Sequence, residues 1–224
     1  MSIGILGGTG PAGRGLAVRL AVAGETVVIG SRDAARADTV AGELVERWPA
    51  RRLSLSGAEN ASATAADVVV VATPWEAALP TVRPLADALS GKVVVSMVVG
   101  MIREGREFLT LVPPRGSMAA SVQDALPGSF VSAALHHLPA SEMEKLDHAL
   151  EADVLVCSDH PSATAATVAL VERIEGLRPI DAGSLSQAGA IESFTAVLTT
   201  VNIRHKVHAA VRLAGYGADT GKYG

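Results

Sequence analysis

The stretch Ile3-Gly4-Ile5-Leu6-Gly7-Gly8-Thr9-Gly10-Pro11-Ala12-Gly13 decides the fold. Its first four residues predict a short buried strand, and Pro11 is typical of the first position of a helix. Between them, Gly8, Gly10 and Gly13 fit the pattern G-x-G-x-x-G, which indicates a dinucleotide site when it joins a strand to a helix. In such a turn Gly10 lets a pyrophosphate approach the backbone, and Gly13 lets the helix pack closely on the strand.

The rest of the chain repeats this alternation of short apolar runs and helical segments. Strands are predicted at 3–6, 26–29, 53–55, 68–72, 93–95, 131–135, 154–156 and 178–180. Helices are predicted at 11–23, 34–48, 74–89, 117–126, 141–150, 162–175 and 190–213. Most of the apolar runs are continuous, which indicates parallel strands covered by helices on both faces. We therefore predict an α/β fold: a doubly wound, Rossmann-type parallel sheet with a small C-terminal helical appendage.

This pattern divides the chain into a nucleotide-binding domain at residues 1–183 and a C-terminal helical segment at residues 184–224. The last predicted helix carries a stripe with spacings of three and four residues, made of Ile191, Phe194, Leu198, Val201, His205 and His208. Such a stripe buries one helix face. It packs either on the cleft or on a second subunit, and we expect a homodimer or a higher homo-oligomer.

Composition limits the classes of function. The net charge is −4 and no basic stripe is present, so no nucleic-acid partner is expected. No apolar run reaches the roughly 20 residues that span a bilayer, and no basic region precedes the first strand as in a signal peptide. The single cysteine, Cys157, is compatible with a reducing compartment. We expect a cytoplasmic protein whose partners are small molecules.

The second predicted strand ends in Gly30-Ser31-Arg32, and Arg36 follows one helical turn later. An NAD site usually has an acidic residue at this strand end, where it binds the ribose hydroxyls. A hydroxyl beside guanidinium groups suits a ribose 2′-phosphate instead, so the pattern favours NADP(H). Asp33 is interpreted as the N-cap of the next helix.

Two further strand ends carry candidate site residues. Thr73 and Glu76 fit a capping box with Pro74 at the first helical position, and Thr73 and Trp75 then lie where a nicotinamide half should bind. The segment 96–100 is apolar and either belongs to the core or forms the floor of a site for a planar ring. His136 follows the strand at 131–135 and either donates to a bound ring or is merely structural.

No set of residues in the sequence suits metal or covalent chemistry. Neighbouring histidines such as His136 and His137 point apart and are poor ligands for one metal, so no metal is expected. The glycines at 7, 10 and 13 also fit the G-x-x-G-x-x-G pattern of short-chain reductases. Those enzymes have a Tyr-x-x-x-Lys pair, and neither Tyr216 nor Tyr223 is followed by a lysine at that spacing.

The sequence resembles the NADPH-dependent reductases of the deazaflavin coenzyme F420 along nearly the whole chain. The resemblance is carried by Gly7-Gly8-Thr9-Gly10, Gly30-Ser31-Arg32, Pro74-Trp75-Glu76, Val94-Val95-Ser96, Ser132-Ala133-Ala134-Leu135-His136, Leu138-Pro139-Ala140, Gly176-Leu177-Arg178-Pro179, Asp181-Ala182-Gly183 and Glu192-Ser193. The Leu-His and Pro-Ala element and the Gly-Leu-Arg-Pro segment are more specific than the glycine loop, which many families share.

The resemblance implies an oxidoreductase that moves a hydride between NADP(H) and coenzyme F420, with no catalytic acid, base or nucleophile. It implies an NADP(H) site formed by Thr9, Gly10, Pro11, Ala12, Ser31, Arg32, Arg36, Thr73, Trp75, Val98 and Ala140. It implies a deazaflavin site formed by Met97, His136 and Leu138. The tail of the deazaflavin is anionic, and Arg204, Lys206 and Arg212 either bind it or form the basic end of a helix.

Two alternatives remain open at the level of the sequence. One is an NADP-dependent reductase of a small imine or keto acid, although such enzymes usually have a longer helical substrate domain. The other is a protein that binds NADPH as a sensor without chemistry. Turnover with a deazaflavin distinguishes all three.

Overall fold

An eight-stranded sheet runs through the protein, and the structure, a computed structural model, describes residues 1–217. The ten strands of this part of the chain are β1 (Ser2–Leu6), β2 (Thr26–Ser31), β3 (Leu55–Glu59), β4 (Val68–Val71), β5 (Val93–Ser96), β6 (Met101–Glu104), β7 (Glu107–Thr110), β8 (Phe130–Ala133), β9 (Ala152–Ser158) and β10 (Leu177–Asp181). The large sheet has the order β10-β9-β8-β5-β4-β1-β2-β3, and β6 and β7 form a separate hairpin.

The helices of the described residues are α1 (Pro11–Val22), α2 (Ala34–Arg47), α3 (Asn60–Ala63), α4 (Trp75–Val82), α5 (Ala86–Leu89), α6 (Met118–Ala125), α7 (Ala140–Met143), α8 (Pro161–Glu172) and α9 (Ala188–His205). They cover both faces of the sheet. All four valines of β4 are buried, as expected for a strand with a helical layer on each side. None of the helices in residues 1–217 is long and apolar enough to cross a membrane.

The prediction of a Rossmann-type α/β fold is confirmed, with one difference in strand direction. β3, β2, β1, β4, β5 and β8 are parallel, but β9 pairs with β8 in the antiparallel direction. β10 is parallel to β9, so the last two strands run opposite to the rest. The expectation of an entirely parallel sheet is wrong at this edge, because a continuous apolar run shows that a strand is buried but not which way it points.

Three predicted helices are shorter than expected, and each has a clear reason. The helix predicted at 74–89 is divided into α4 and α5 by a 3-10 turn at Arg83–Leu85, where Pro84 has no N–H to continue the helix. The helix predicted at 141–150 is only α7, because buried Arg19 binds the carbonyl oxygens of Glu142, Met143, Lys145 and His148, which a continued helix would use internally. The helix predicted to reach residue 213 ends at His205. Lys206 adopts a left-handed conformation, and the chain then runs along β9, where the Leu213 N–H donates to the carboxylate of Asp153 at 2.6 Å.

The β6–β7 hairpin was not predicted from the sequence, and neither was the short helix α3. The turn of the hairpin is at Gly105, which has a positive φ of 59°, and its second strand packs against α9. The Phe108 N–H donates to the Thr200 hydroxyl at 2.8 Å. This hairpin therefore holds α9 at the carboxyl edge of the large sheet.

The stripe predicted on α9 does not form a single buried face. Ile191 and Leu198 point into the protein, whereas Phe194 and Val201 are 46% and 37% exposed. His208 lies beyond the end of the helix. One side of α9 thus packs on the protein and the other presents apolar side chains to solvent.

Candidate active site

The glycine loop joins β1 to α1 as the sequence predicts. A Cβ atom on Gly13 would lie 2.5 Å from the Cα of Gly8, so this helix and strand can pack only with glycine there. Gly10, the N-cap of α1, has no atom within 4 Å of the position a Cβ would take. No side chain caps the helix, so its first amides are free to bind an anion together with the positive end of the helix dipole.

Asn60 holds this loop in place, and no sequence pattern indicated it. Its Oδ1 atom accepts from the Gly7 N–H at 3.1 Å, across the start of α3. Gly7 itself has a positive φ of 67°, and a Cβ there would lie 2.4 Å from the methyl group of Thr73. The loops after β1, β3 and β4 are therefore fitted to one another at the point where the strand order reverses, which is where open α/β sheets bind ligands.

A cleft of about 520 Å³ lies beside the end of β2. Ser31 and Arg32 line it, while Arg36 is exposed and is not among its lining residues. Asp33 accepts from the Arg36 N–H at 3.1 Å, which confirms its predicted role as the N-cap of α2. Two carboxylates that the sequence analysis did not assign to the site, Glu59 and Glu76, also line this cleft.

A larger cleft of about 800 Å³ opens at the carboxyl ends of β4, β5 and β8. It brings together eight of the predicted site residues: Ala12, Thr73, Trp75, Met97, Val98, His136, Leu138 and Ala140. Thr9, Gly10 and Pro11 belong to the adjoining glycine loop and are not among its lining residues. The predicted site residues thus fall into two clefts and the loop, with Arg36 outside all three.

Thr73 does not cap a helix, which corrects the predicted capping box. Helix α4 starts at Trp75, its N-cap is Pro74, and no side-chain hydrogen bond closes its first turn. The Thr73 hydroxyl is buried and has no hydrogen-bond partner in the described residues. A buried polar group without a partner is costly, so this hydroxyl is available to a ligand in the larger cleft.

His136 reaches the cleft from a strained position in the chain. Leu135 before it has a positive φ of 67°, a conformation that a bulky side chain rarely adopts. His136 is only 8% exposed, and neither of its ring nitrogens has a hydrogen-bond partner. Burial lowers the pKa of His136 to about 3, so the ring is neutral near pH 7 and has one donor and one acceptor available.

The neighbouring His137 has a different environment. Its Nε2 atom accepts from the Leu155 N–H at 3.2 Å, so it carries its proton on Nδ1 and helps to fasten β9. Burial lowers its pKa to about 4. The two ring centroids are 5.6 Å apart, and no group of three or more metal-binding side chains occurs in residues 1–217.

The opposite wall of the cleft comes from α9, for which packing on the cleft was one of two expected arrangements, and from the β6–β7 hairpin, which the sequence analysis did not predict. The hairpin and α9 contribute Met101, Phe108, Thr195, Leu198, Thr199, Asn202 and Ile203. The hydroxyls of Thr195 and Thr199 donate to carbonyl oxygens one turn earlier in α9, so this wall is mostly apolar. Two threonines four residues apart on a helix face that also carries Leu198 were the available signal.

Known proteins are similar in sequence to this chain along most of its length. A sequence profile described as NADP oxidoreductase, coenzyme F420-dependent, matches residues 2–100. The F420-dependent NADP reductase of Methanothermobacter thermautotrophicus is 37% identical over 219 residues, covering 95% of this chain and 94% of that protein. The enzyme of the same name from Methanocaldococcus jannaschii is also 37% identical, over 92% of this chain and 94% of that one. The chain belongs to the F420-dependent NADP reductase family.

Solved structures share the architecture of this family member. A candidate F420-dependent NADP reductase from Arthrobacter sp. FB24 superposes with a TM-score of 0.79 at 24% identity, over 95% of this chain and 98% of that one. An imine reductase from Streptomyces aurantiacus has a TM-score of 0.55 at 17% identity and covers 91% of this chain but 62% of its own. Both show the fold alone, and the imine reductase has a longer chain.

Proposed function

We propose that this protein transfers a hydride directly and reversibly between the nicotinamide C4 atom of NADP(H) and the C5 atom of the deazaflavin ring of coenzyme F420. In the forward direction NADPH loses the hydride, and the deazaflavin takes up that hydride and one proton. The proposal rests on the larger cleft, whose floor at the strand ends is uncharged. Two residues there, Thr73 and His136, have buried polar atoms without a hydrogen-bond partner in the described residues.

The proposed division of labour follows the two clefts and the loop. Residues 1–183 bind NADP(H), with Ser31, Arg32 and Arg36 at the 2′-phosphate and the Thr9–Ala12 loop at the pyrophosphate. Thr73, Trp75, Val98 and Ala140 hold the nicotinamide half, and Met97, His136 and Leu138 hold the deazaflavin. The C-terminal segment at residues 184–224 closes the far side of the cleft with α9. Residues 218–224 of this segment lie outside the described residues.

For this hydride transfer the side chains need only to position the two coenzyme rings. Two rings must be stacked with their reacting carbons roughly 3–3.5 Å apart, and water must be kept out. The neutral His136 ring can hydrogen-bond a ring substituent without giving up a proton, and the Thr73 hydroxyl can bond the nicotinamide amide. Met97 and Val98, which are 7% and 2% exposed, supply the apolar floor.

Isotope transfer tests this mechanism. NADPH carrying deuterium on one face of C4 is incubated with oxidised F420, and the product is analysed by NMR. Label should appear at C5 of the deazaflavin without exchange into water, and the same face should be used in the reverse direction because one cleft fixes both rings. Loss of label to solvent contradicts direct transfer, and tight NADPH binding with no turnover of any deazaflavin contradicts the proposed function.

We also propose a homodimer and a cytoplasmic location. The exposed side of α9 carries Phe194, Val197 and Val201, which are 46%, 56% and 37% exposed. Their spacing of three and four residues makes one apolar stripe, and such stripes mark association surfaces. Light scattering tests the dimer, since a mass of one chain at micromolar concentration contradicts it, and cell fractionation tests the location.

A further inference from the structure

Three cationic side chains near the end of α9 have different surroundings. Arg204 forms an ion pair with Glu107 at 2.9 Å. Arg212 forms ion pairs with Glu151 at 3.3 Å and with Asp153 at 3.2 Å. Lys206 forms no ion pair and no side-chain hydrogen bond with any residue in the range 1–217. Sequence analysis gave these three cations the same possible role, but in the structure Arg204 and Arg212 are paired with carboxylates, whereas Lys206 is unpaired in residues 1–217.

Lys206 is also the one of the three that reaches the larger cleft. Among the residues of the described chain that line this cleft, it is the only Lys, Arg, Asp or Glu. The lining is otherwise made of apolar side chains, threonines, serine, asparagine and histidines. An anion in this cleft would therefore meet a single opposite charge and no like charge.

The backbone holds Lys206 at the rim in an unfavourable conformation. Its φ and ψ angles are 54° and 46°, in the left-handed region where helices usually end with glycine. The turn is fixed by Asn202, whose side chain accepts from the Ala209 N–H at 2.7 Å and donates to the Ala209 carbonyl at 3.1 Å. Glycine would fit this backbone better, so stability does not require a lysine at this position.

We propose that Lys206 binds a phosphate group of a coenzyme in the larger cleft, namely the phosphate in the tail of the deazaflavin. This inference rests on the proposed function. NADP(H) carries the same chemistry, but its pyrophosphate has the free amides of α1 and its 2′-phosphate has Arg32. The deazaflavin phosphate has no other cation in the lining, and a lysine ammonium is a suitable point charge for it.

The test uses Lys206→Gly with a matched control. Arg52 is another exposed cation in the left-handed region, with φ and ψ of 49° and 51°, and it lines neither cleft. Arg52→Gly therefore removes the same charge and the same backbone strain away from the coenzymes. Dissociation constants are measured by fluorescence for F420 and for the same deazaflavin lacking the phosphate tail, together with the KM for each compound and for NADPH and the thermal midpoint.

Lys206→Gly should weaken F420 binding about five- to tenfold, somewhat less than the usual effect of losing a charge-assisted hydrogen bond, because Lys206 is exposed to water. Binding of the tail-less deazaflavin and the KM for NADPH should stay unchanged, and Lys206→Arg should retain F420 affinity. Both glycine variants should be at least as stable as the wild type. Arg52→Gly should bind all three ligands normally.

Each contrary result has one meaning. Equal weakening for F420 and the tail-less compound, or no weakening for either, overturns the assignment of Lys206. Weakening confined to NADPH moves Lys206 to the phosphates of that coenzyme and also overturns it. Wild-type protein that reduces neither deazaflavin refutes the proposed function, whereas wild-type turnover of both compounds with an unaffected Lys206→Gly variant refutes only the role of Lys206.

Discussion

Replacing His136 by leucine should make the protein more stable and less able to hold its second coenzyme. The imidazole is 8% exposed and both of its nitrogens lack partners, and leucine has a similar volume without polar atoms. Leaving such a group unsatisfied costs about 1–3 kcal/mol. For a chain of this size 1 kcal/mol moves the melting temperature by about 2–4 °C, so a rise of a few degrees at pH 7 is expected.

The pH dependence of the free energy of unfolding gives a second number that can be measured for His136. The pKa of His136 is about 3 in the folded state against 6.5 as its ordinary value, so between these values the unfolded chain binds a proton that the folded protein does not. Stability therefore falls as the pH drops below 6.5. At pH 5, which is 1.5 units lower, the loss is about 2 kcal/mol at 1.36 kcal/mol per unit. His137, with a pKa of about 4, adds a loss of about the same size.

Urea unfolding at pH 7 and pH 5 measures both effects. The variant should lose about 2 kcal/mol less than the wild type between the two pH values, while the contribution of His137 remains. His136→Phe removes the same nitrogens with a different shape and should behave alike. The KM for F420 should rise about three- to tenfold from one lost hydrogen bond, with NADPH affected less. A variant that is less stable at pH 7, or equally sensitive to acid, would refute this reasoning.

Three further predictions concern other charged groups. Arg32→Ala should raise the NADPH dissociation constant about tenfold, at the low end for a charge-assisted bond because Arg32 is exposed, and equal loss for NADH would contradict this. Asp153→Asn should lower the melting temperature by about 4–8 °C, because the Asp153 carboxylate is buried, its partner Arg178 is 36% exposed, and a lost hydrogen bond between charged groups costs about 2 kcal/mol; an unchanged midpoint would contradict it. Burial raises the pKa of Glu192 to about 7 from 4.5, so stability should fall as the pH rises through that window, and Glu192→Gln should flatten the urea-unfolding profile.

Much of the fold was predictable because local signals and tertiary structure agree in it. Continuous runs such as the four valines of β4 are buried in any doubly wound sheet, and seven of the eight strands of the large sheet lie where the sequence predicts strands. The exception is β3, which begins at Leu55, the last residue of the strand predicted at 53–55. The N-cap at Asp33 depends on one side chain and the next three residues, which a sequence displays directly. Strand direction, by contrast, depends on how the chain returns, and hydropathy carries no information about it at β9.

The remaining errors arise where distant groups take over local hydrogen bonds. Arg19 is 124 residues away in sequence from the Met143 carbonyl that it binds, so the residues near 143 do not indicate where α7 ends. The capping box at Thr73 fits the local pattern and still fails, because α4 begins at Trp75 with Pro74 as its N-cap, which leaves Thr73 one residue before the capping position. The hairpin was missed, and the packing of α9 on the cleft was left as one of two alternatives, because the place of both elements over the strand ends is set by packing between segments far apart in sequence.

The anchoring of the C-terminal segment has a practical consequence for protein production. Residues 206–217 form no helix or strand and would be an obvious segment to trim to aid crystallisation, yet Arg212 and the Leu213 N–H both bind the fully buried carboxylate of Asp153. Arg178 also donates to the Tyr216 carbonyl at 2.7 Å. Expression variants shortened before Arg212 would leave the buried carboxylate of Asp153 with two of its four hydrogen bonds, both from Arg178, so any cut or cleavable tag belongs beyond Tyr216.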